Sequence, residues 1–222
     1  MAIRHRFATS LMALIACLGG ANAHAMPTET LADGTILVRP AEQALVVSGP
    51  IGTNFEAHFR AALKRYPQAQ VVIVRGPGGM RGPALRVAEL INSRGMTVRI
   101  SGRCASACAL LWASSRSREM TPTSKLGLHR SRLPDSVMLP APIEQRLVAR
   151  NDRETDRVLR DAGFSLQLIA QGNRASPTSM SWFTPVELQR NGVPFTLLGN
   201  PLPGAAVHLA ANATVTTQPT QQ

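Results

Sequence analysis

Short apolar runs separated by Gly, Pro and capping residues set the rhythm of the first two thirds of the chain. Ala44-Leu45-Val46-Val47 reads as a strand ended by Gly49-Pro50. Val71-Val72-Ile73-Val74 has no polar interruption, the pattern of a strand covered on both faces, and runs straight into Arg75-Gly76-Pro77-Gly78-Gly79. Between these strands Phe55, Phe59, Ala62 and Leu63 share one helical face, with Thr53 and Glu56 spaced as a capping box and Tyr66-Pro67 as the stop. A second helix is predicted at about 82–93 from Ala84, Val87, Ala88 and Ile91. Thr97-Val98-Arg99-Ile100 is the next strand, and Ala109-Leu110-Leu111-Trp112-Ala113 reads as a buried helix. Strand and helix thus alternate three times, which predicts βα crossovers and a largely parallel sheet.

Beyond this unit the pattern thins. Lys125-Leu126-Gly127-Leu128-His129 is a short strand candidate, residues 143–162 form a long charged helix stopped by Gly163, and Thr184-Pro185-Val186-Glu187 is a capping box whose helix ends at Gly192. Residues 24–40 read as an irregular lead-in with one apolar run, Thr35-Ile36-Leu37-Val38. Residues 41–204 read as one domain, and 205–222, biased to Ala, Thr and Gln, as a flexible tail. No internal repeat is visible.

Residues 1–23 change the picture. Arg4 and Arg6 precede an apolar run from Phe7 to Leu18, and small residues follow up to Ala23 and Ala25. That order is a secretory signal, so the expected location is periplasmic or secreted. Leu14-Ile15-Ala16-Cys17 also resembles a lipobox, and the alternative is a lipoprotein tethered to a membrane through Cys17. Removal of the signal takes away Arg4 and Arg6 and lowers the formal net charge from +11 to +9. It leaves Cys104 and Cys108, and an even number of cysteines in an exported protein predicts a disulfide. The rival is a metal site made by the two cysteines and His129, which lacks a fourth ligand.

The basic excess does not by itself specify a partner. It is carried by arginines in scattered pairs, Arg99/Arg103, Arg116/Arg118 and Arg130/Arg132, without interleaved aromatic residues or a groove-reading motif. A nucleic-acid partner is therefore not expected, and an arginine-rich solvated surface is the simpler reading.

Candidate chemistry sits at two turns. Gly78 and Gly79 leave backbone N–H groups unshielded after a buried strand, an arrangement able to hold an oxyanion. Ser106 lies where a strand gives way to a helix, so its hydroxyl projects from a tight turn beside the N–H of Ala107. His58 reads as a helix-flank side chain, His208 lies in the tail, and Trp112 and Trp182 read as core. The only lysines are Lys64 and Lys125.

Gly49-Pro50-Ile51, Arg75-Gly76-Pro77-Gly78-Gly79, Cys104-Ala105-Ser106-Ala107-Cys108, Leu126-Gly127-Leu128-His129 and Trp182-Phe183-Thr184-Pro185-Val186-Glu187-Leu188 together resemble the Clp protease proteolytic subunit and its exported relatives. The resemblance covers about residues 41–200 and implies the ClpP/crotonase-like ββα superhelix, an α/β fold. It implies a serine peptidase with Ser106 as nucleophile, His129 as general base, and Gly78, Gly79 and Ala107 as oxyanion donors. No cofactor or metal is implied, and the substrate would be a peptide or protein. A homo-oligomer is implied by resemblance alone, and an exported protein has no ATP supply for the family's ATPase partner.

One member is missing. The related peptidases carry an aspartate just before the Trp182-Phe183-Thr184 stretch, where this chain reads Ser179-Met180-Ser181. The expectation is a Ser-His dyad of slow or conditional activity, with Ser179, Ser181 or a carbonyl orienting His129, and Asp152 and Asp156 as more distant substitutes. The Ser-Lys signal peptide peptidases share the fold, but neither lysine falls where their pattern requires. The alternative of another class is a catalytically silent binding or assembly module of the cell envelope.

Overall fold

The computed structural model describes residues 33–134 and 137–199. The expected signal segment 1–23 with Cys17, as well as His208 and the 205–222 segment, lies outside the described residues.

The apolar runs build the centre of one sheet. Strand β1 (Thr35–Arg39) pairs antiparallel with β2 (Ala44–Ile51); β2 then pairs in parallel with β3 (Val71–Gly79), and β3 with β4 (Thr97–Ala105). The apolar run at 35–38 therefore lies in an edge strand. The crossovers are the predicted helices α1 (Phe55–Arg65), between β2 and β3, and α2 (Arg81–Ser93), between β3 and β4. After β4 come α3 (Ala107–Ala113), β5 (Ser117–Met120) and β6 (Lys125–Leu128); β5 and β6 both pair in parallel with β4, at different stretches of it. The chain continues through α4 (Ala141–Asp161), α5 (Leu166–Gly172), β7 (Ser181–Phe183), α6 (Pro185–Arg190) and β8 (Thr196–Leu197). Strand β7 returns antiparallel on β6, and β8 pairs in parallel with β5. The result is a mixed α/β sheet in which most pairings are parallel, as the alternation predicted.

The core lies on the helix side of the sheet. Leu45, Val47, Val72, Val74, Val98 and Ile100 point from alternate strand positions toward Phe55, Phe59, Ala84, Val87, Ala88 and Ile91. The other face of the same strands carries a smaller cluster, Ala44, Val46 and Ile73, which accounts for the unbroken apolar run in β3. Every residue of α3 is buried, and Trp112 is fully enclosed, its indole N–H donating to the Glu119 carbonyl at 3.0 Å.

Two expected caps came out differently. At α6 the capping box forms: Thr184 accepts the Glu187 N–H, and Glu187 accepts the Thr184 N–H at 2.7 Å. At α1 the Thr53/Glu56 box does not form, because Asp33 takes its place. The Asp33 carboxylate accepts the N–H of Gly52 at 2.8 Å and of Asn54 at 3.1 Å, while Glu56 turns to Arg60 and Arg86. A carboxylate at a helix N-terminus satisfies orphan donors and suits the helix dipole. Three of the paired arginines take part in the packing: Arg99 binds Glu119 at 2.7 Å, Arg118 donates to the Ala162 carbonyl at the end of α4, and Arg103 lies 4.1 Å over the ring of Trp182. Trp182 is thus half-buried with a cation on its face rather than enclosed in the core. Among the described residues no helix is long and apolar enough to cross a membrane.

Candidate active site

Ser106 stands on the one-residue link between β4 and α3, with φ 54° and ψ −124°. A non-glycine residue at positive φ costs ~1–3 kcal/mol, so surrounding structure must hold it there. Three contacts do so. The Ser106 N–H donates to the Gly127 carbonyl of β6 at 2.9 Å. A disulfide joins Cys104, at the end of β4, to Cys108, in the first turn of α3, with their Cα atoms 5.3 Å apart. Gly78 presses on the elbow from the side: a Cβ there would lie 2.5 Å from the Ala105 carbonyl oxygen, 2.7 Å from the Ala107 nitrogen and 2.7 Å from Ser106 Cβ.

That close approach also defines a space. The Ala107 N–H opens α3 and makes no backbone hydrogen bond among the described residues, as expected for the first turn of a helix. A Cβ on Gly78, which stands at φ +94°, would crowd this nitrogen at 2.7 Å, so only glycine keeps a methyl off the N–H. Gly79 needs its own missing Cβ for another reason, since a side chain there would strike the Ile51 carbonyl at 2.3 Å.

Sheet topology brings His129 to the same place. Strands β4 and β6 are parallel neighbours with Ala105 opposite Gly127, so the residues just past their C-terminal ends, Ser106 and His129, emerge side by side. Both line a cleft of about 900 Å³ together with Gly78, Gly79 and Ala107. Apolar walls come from Ile51, Met80, Leu110 and Leu128, and neither Lys64 nor Lys125 lines it. A Ser-Lys arrangement is therefore not assembled in this cleft.

No hydrogen bond joins Ser106 Oγ to His129, and among the described residues His129 Nδ1 is buried without a hydrogen-bond partner. Burial lowers the His129 pKa below the ordinary imidazole value; the Arg130 backbone raises it, the Arg132 charge lowers it, and the Asp152 charge and Pro177 backbone raise it, with lowering prevailing. The ring is then neutral at pH 7, the form a general base requires.

The remaining candidates separate clearly. Ser181 Oγ donates to the Gln171 carbonyl at 2.9 Å, and Ser179 is tied to Ser176, so neither hydroxyl serves His129. Asp156 accepts from the Asn173 side chain at 3.0 Å. Asp152, read from the sequence as one of two distant substitutes, accepts the N–H of Ser131 at 2.7 Å. His58 is half-exposed on α1, 3.7 Å from Asp33, in keeping with a helix-flank side chain. Cys104 and Cys108 are joined to each other, which leaves them unavailable as the thiolate ligands of a metal.

No protein-family model matches the chain, and no curated protein matches it. Among solved structures, a point mutant of ClpP1 from Listeria monocytogenes is similar to it with a TM-score of 0.58 at 16% sequence identity, covering 72% of this chain and 93% of that one. At this identity the likeness concerns the fold: a mixed α/β unit with a central sheet and flanking helices, built as in ClpP.

Proposed function

We propose that the protein is an exported serine peptidase or hydrolase in which Ser106 is the nucleophile and His129 its general base. The observation that carries this reading is Ser106 itself, held at positive φ next to the Ala107 N–H that opens α3 and lining the same cleft as Ala107 and His129. In the reaction, Ser106 Oγ attacks the substrate carbonyl carbon while His129 takes the hydroxyl proton. The C=O π electrons move to the oxygen, where the N–H of Ala107, with Gly78 and Gly79, holds the negative charge; each such donor contributes ~3–4 kcal/mol. His129 then returns the proton to the leaving amine or alkoxide, and water hydrolyses the acyl-enzyme by the same route. The ClpP-like fold supports the protease class and a homo-oligomeric state. Export, and location in the periplasm or outside the cell, rest on the order of charge, apolar run and small residues in 1–23.

The unmade Ser106–His129 hydrogen bond favours a second reading, a silent binding module of the cell envelope. Comparing unmodified protein with Ser106→Ala on a chromogenic acyl ester and on unfolded casein separates the two. Hydrolysis lost with Ser106 supports the hydrolase; equal background rates for both proteins support the silent module.

A further inference from the structure

The acid partner of His129 is absent from the segment where related peptidases carry it, and the serines that replace it are engaged elsewhere. The opposite side of the ring is different. Helix α4 brings Asp152 against the loop that follows β6, and Asp152 Oδ1 accepts the N–H of Ser131, two residues past His129, at 2.7 Å. Asn151 and Thr155, its neighbours on α4, line the same cleft as His129 and Ser131. Among the described residues, His129 Nδ1 meanwhile is enclosed with no partner. A buried nitrogen without a partner costs ~1–3 kcal/mol, and the cost grows when the ring becomes charged. A nearby fixed carboxylate offsets it.

We propose that Asp152 is the positioning carboxylate of this site, anchoring the His129 loop through the Ser131 N–H and stabilising the imidazolium that forms when Ser106 gives up its proton. The proposal rests on the hydrolase reading. Asp152 stays ionised throughout: the proton moves from Ser106 Oγ to His129 and then to the leaving group, never to the carboxylate. The acid is thus supplied by α4, the helix that forms the outer wall of the cleft, rather than by the segment preceding β7.

Among the described residues, the charges that act on His129 are Asp152 from α4 and Arg132 from the His129 loop, with the backbone of Arg130 and Pro177 also beside the ring. Removing the Asp152 charge takes away an attraction that favours the charged ring, so the imidazole midpoint moves down. Asp156 lies one turn along the same helix and is held by Asn173, which makes it the internal control.

The test follows the His129 ring by NMR titration in the full mature chain and measures the fluorophosphonate labelling rate across pH. The variants are Asp152→Asn, Asp152→Glu and Asp156→Asn. An asparagine oxygen still accepts the Ser131 N–H, and thermal unfolding of each variant verifies the fold. Expected for Asp152→Asn are a lower His129 midpoint and labelling slowed by ~10²–10⁴-fold. Asp152→Glu should recover part of both, and Asp156→Asn should change neither. An unmoved His129 midpoint in Asp152→Asn overturns the proposal whatever the labelling shows. A moved midpoint in a protein whose native form never labels supports the Asp152–His129 pairing and sinks the hydrolase reading instead.

Discussion

Replacing Gly78 by alanine tests whether the glycine turn and the nucleophile elbow are packed as one unit. The added methyl would meet three atoms that cannot swing away: the Ala105 carbonyl oxygen at 2.5 Å, the Ala107 nitrogen at 2.7 Å and Ser106 Cβ at 2.7 Å. Forcing such contacts costs ~1–3 kcal/mol, and placing alanine at φ +94° adds ~1–2 kcal/mol. The sum, about 2–5 kcal/mol, is a large share of the ~5–15 kcal/mol that holds a domain together. Gly95 supplies the control, since it too has positive φ, +64°, but a Cβ there meets nothing within 4 Å. Gly95→Ala therefore carries only the backbone cost, ~1–2 kcal/mol. Urea unfolding followed by the fluorescence of buried Trp112 gives both values, with a constant slope showing that the unfolded state has not changed. The expected gap between the variants is ~1–3 kcal/mol. The methyl also covers the Ala107 N–H, so labelling of Ser106 should fall by ~10²–10³-fold in Gly78→Ala and stay unchanged in Gly95→Ala. Equal stability losses in the two variants would refute the claim that Gly78 is pressed against the elbow.

Three further outcomes are expected. The Cys104–Cys108 disulfide closes a loop with a sequence separation of 4, worth ~2 kcal/mol by chain entropy; reduction should lower the urea midpoint accordingly, and two titratable thiols in the unreduced, denatured protein would contradict the bond. Burial holds the native His129 pKa low while the unfolded chain titrates near ~6.5, so the unfolded state takes up its proton first. Stability should be full above that pH, fall as pH drops through the lower native midpoint and then level off; a His129→Gln variant with the same pH profile would contradict this. Thr184→Ala removes the side chain that accepts the Glu187 N–H and should cost ~1 kcal/mol in thermal unfolding, whereas Thr53→Ala, which caps nothing, should cost far less.

The central fold was legible because its local and global signals coincide. In α2 the residues at helical spacing, Ala84, Val87, Ala88 and Ile91, are the ones that meet the sheet, and in β3 the unbroken apolar run reflects cover on both faces. The edge elements were not legible. Strand β5 reads Ser117-Arg118-Glu119-Met120, with a polar surface satisfied by Arg99 and Trp112, and β7 and β8 have three and two residues whose pairing depends on distant segments. The α1 cap was misread because the competing carboxylate, Asp33, lies about 20 residues upstream and no local spacing reports it. The site divides in the same way. Ser106, His129 and the glycine turn sit at strand ends in a recognisable order, so sequence placed them in one cleft. Asp152 lies within a charged amphipathic helix, where its pattern is that of a solvated face; only the packing of α4 against the His129 loop distinguishes it from Asp156.

The claim that Ser106 is an activated nucleophile is tested most directly by exposing the folded protein to a fluorophosphonate probe and locating the adduct by peptide mass spectrometry, with Ser106→Ala and His129→Ala in parallel. Stoichiometric modification of Ser106, absent in the first variant and at least ~10²-fold slower in the second, is the predicted result. A folded native protein that remains unmodified, or one modified equally fast without His129, would contradict it.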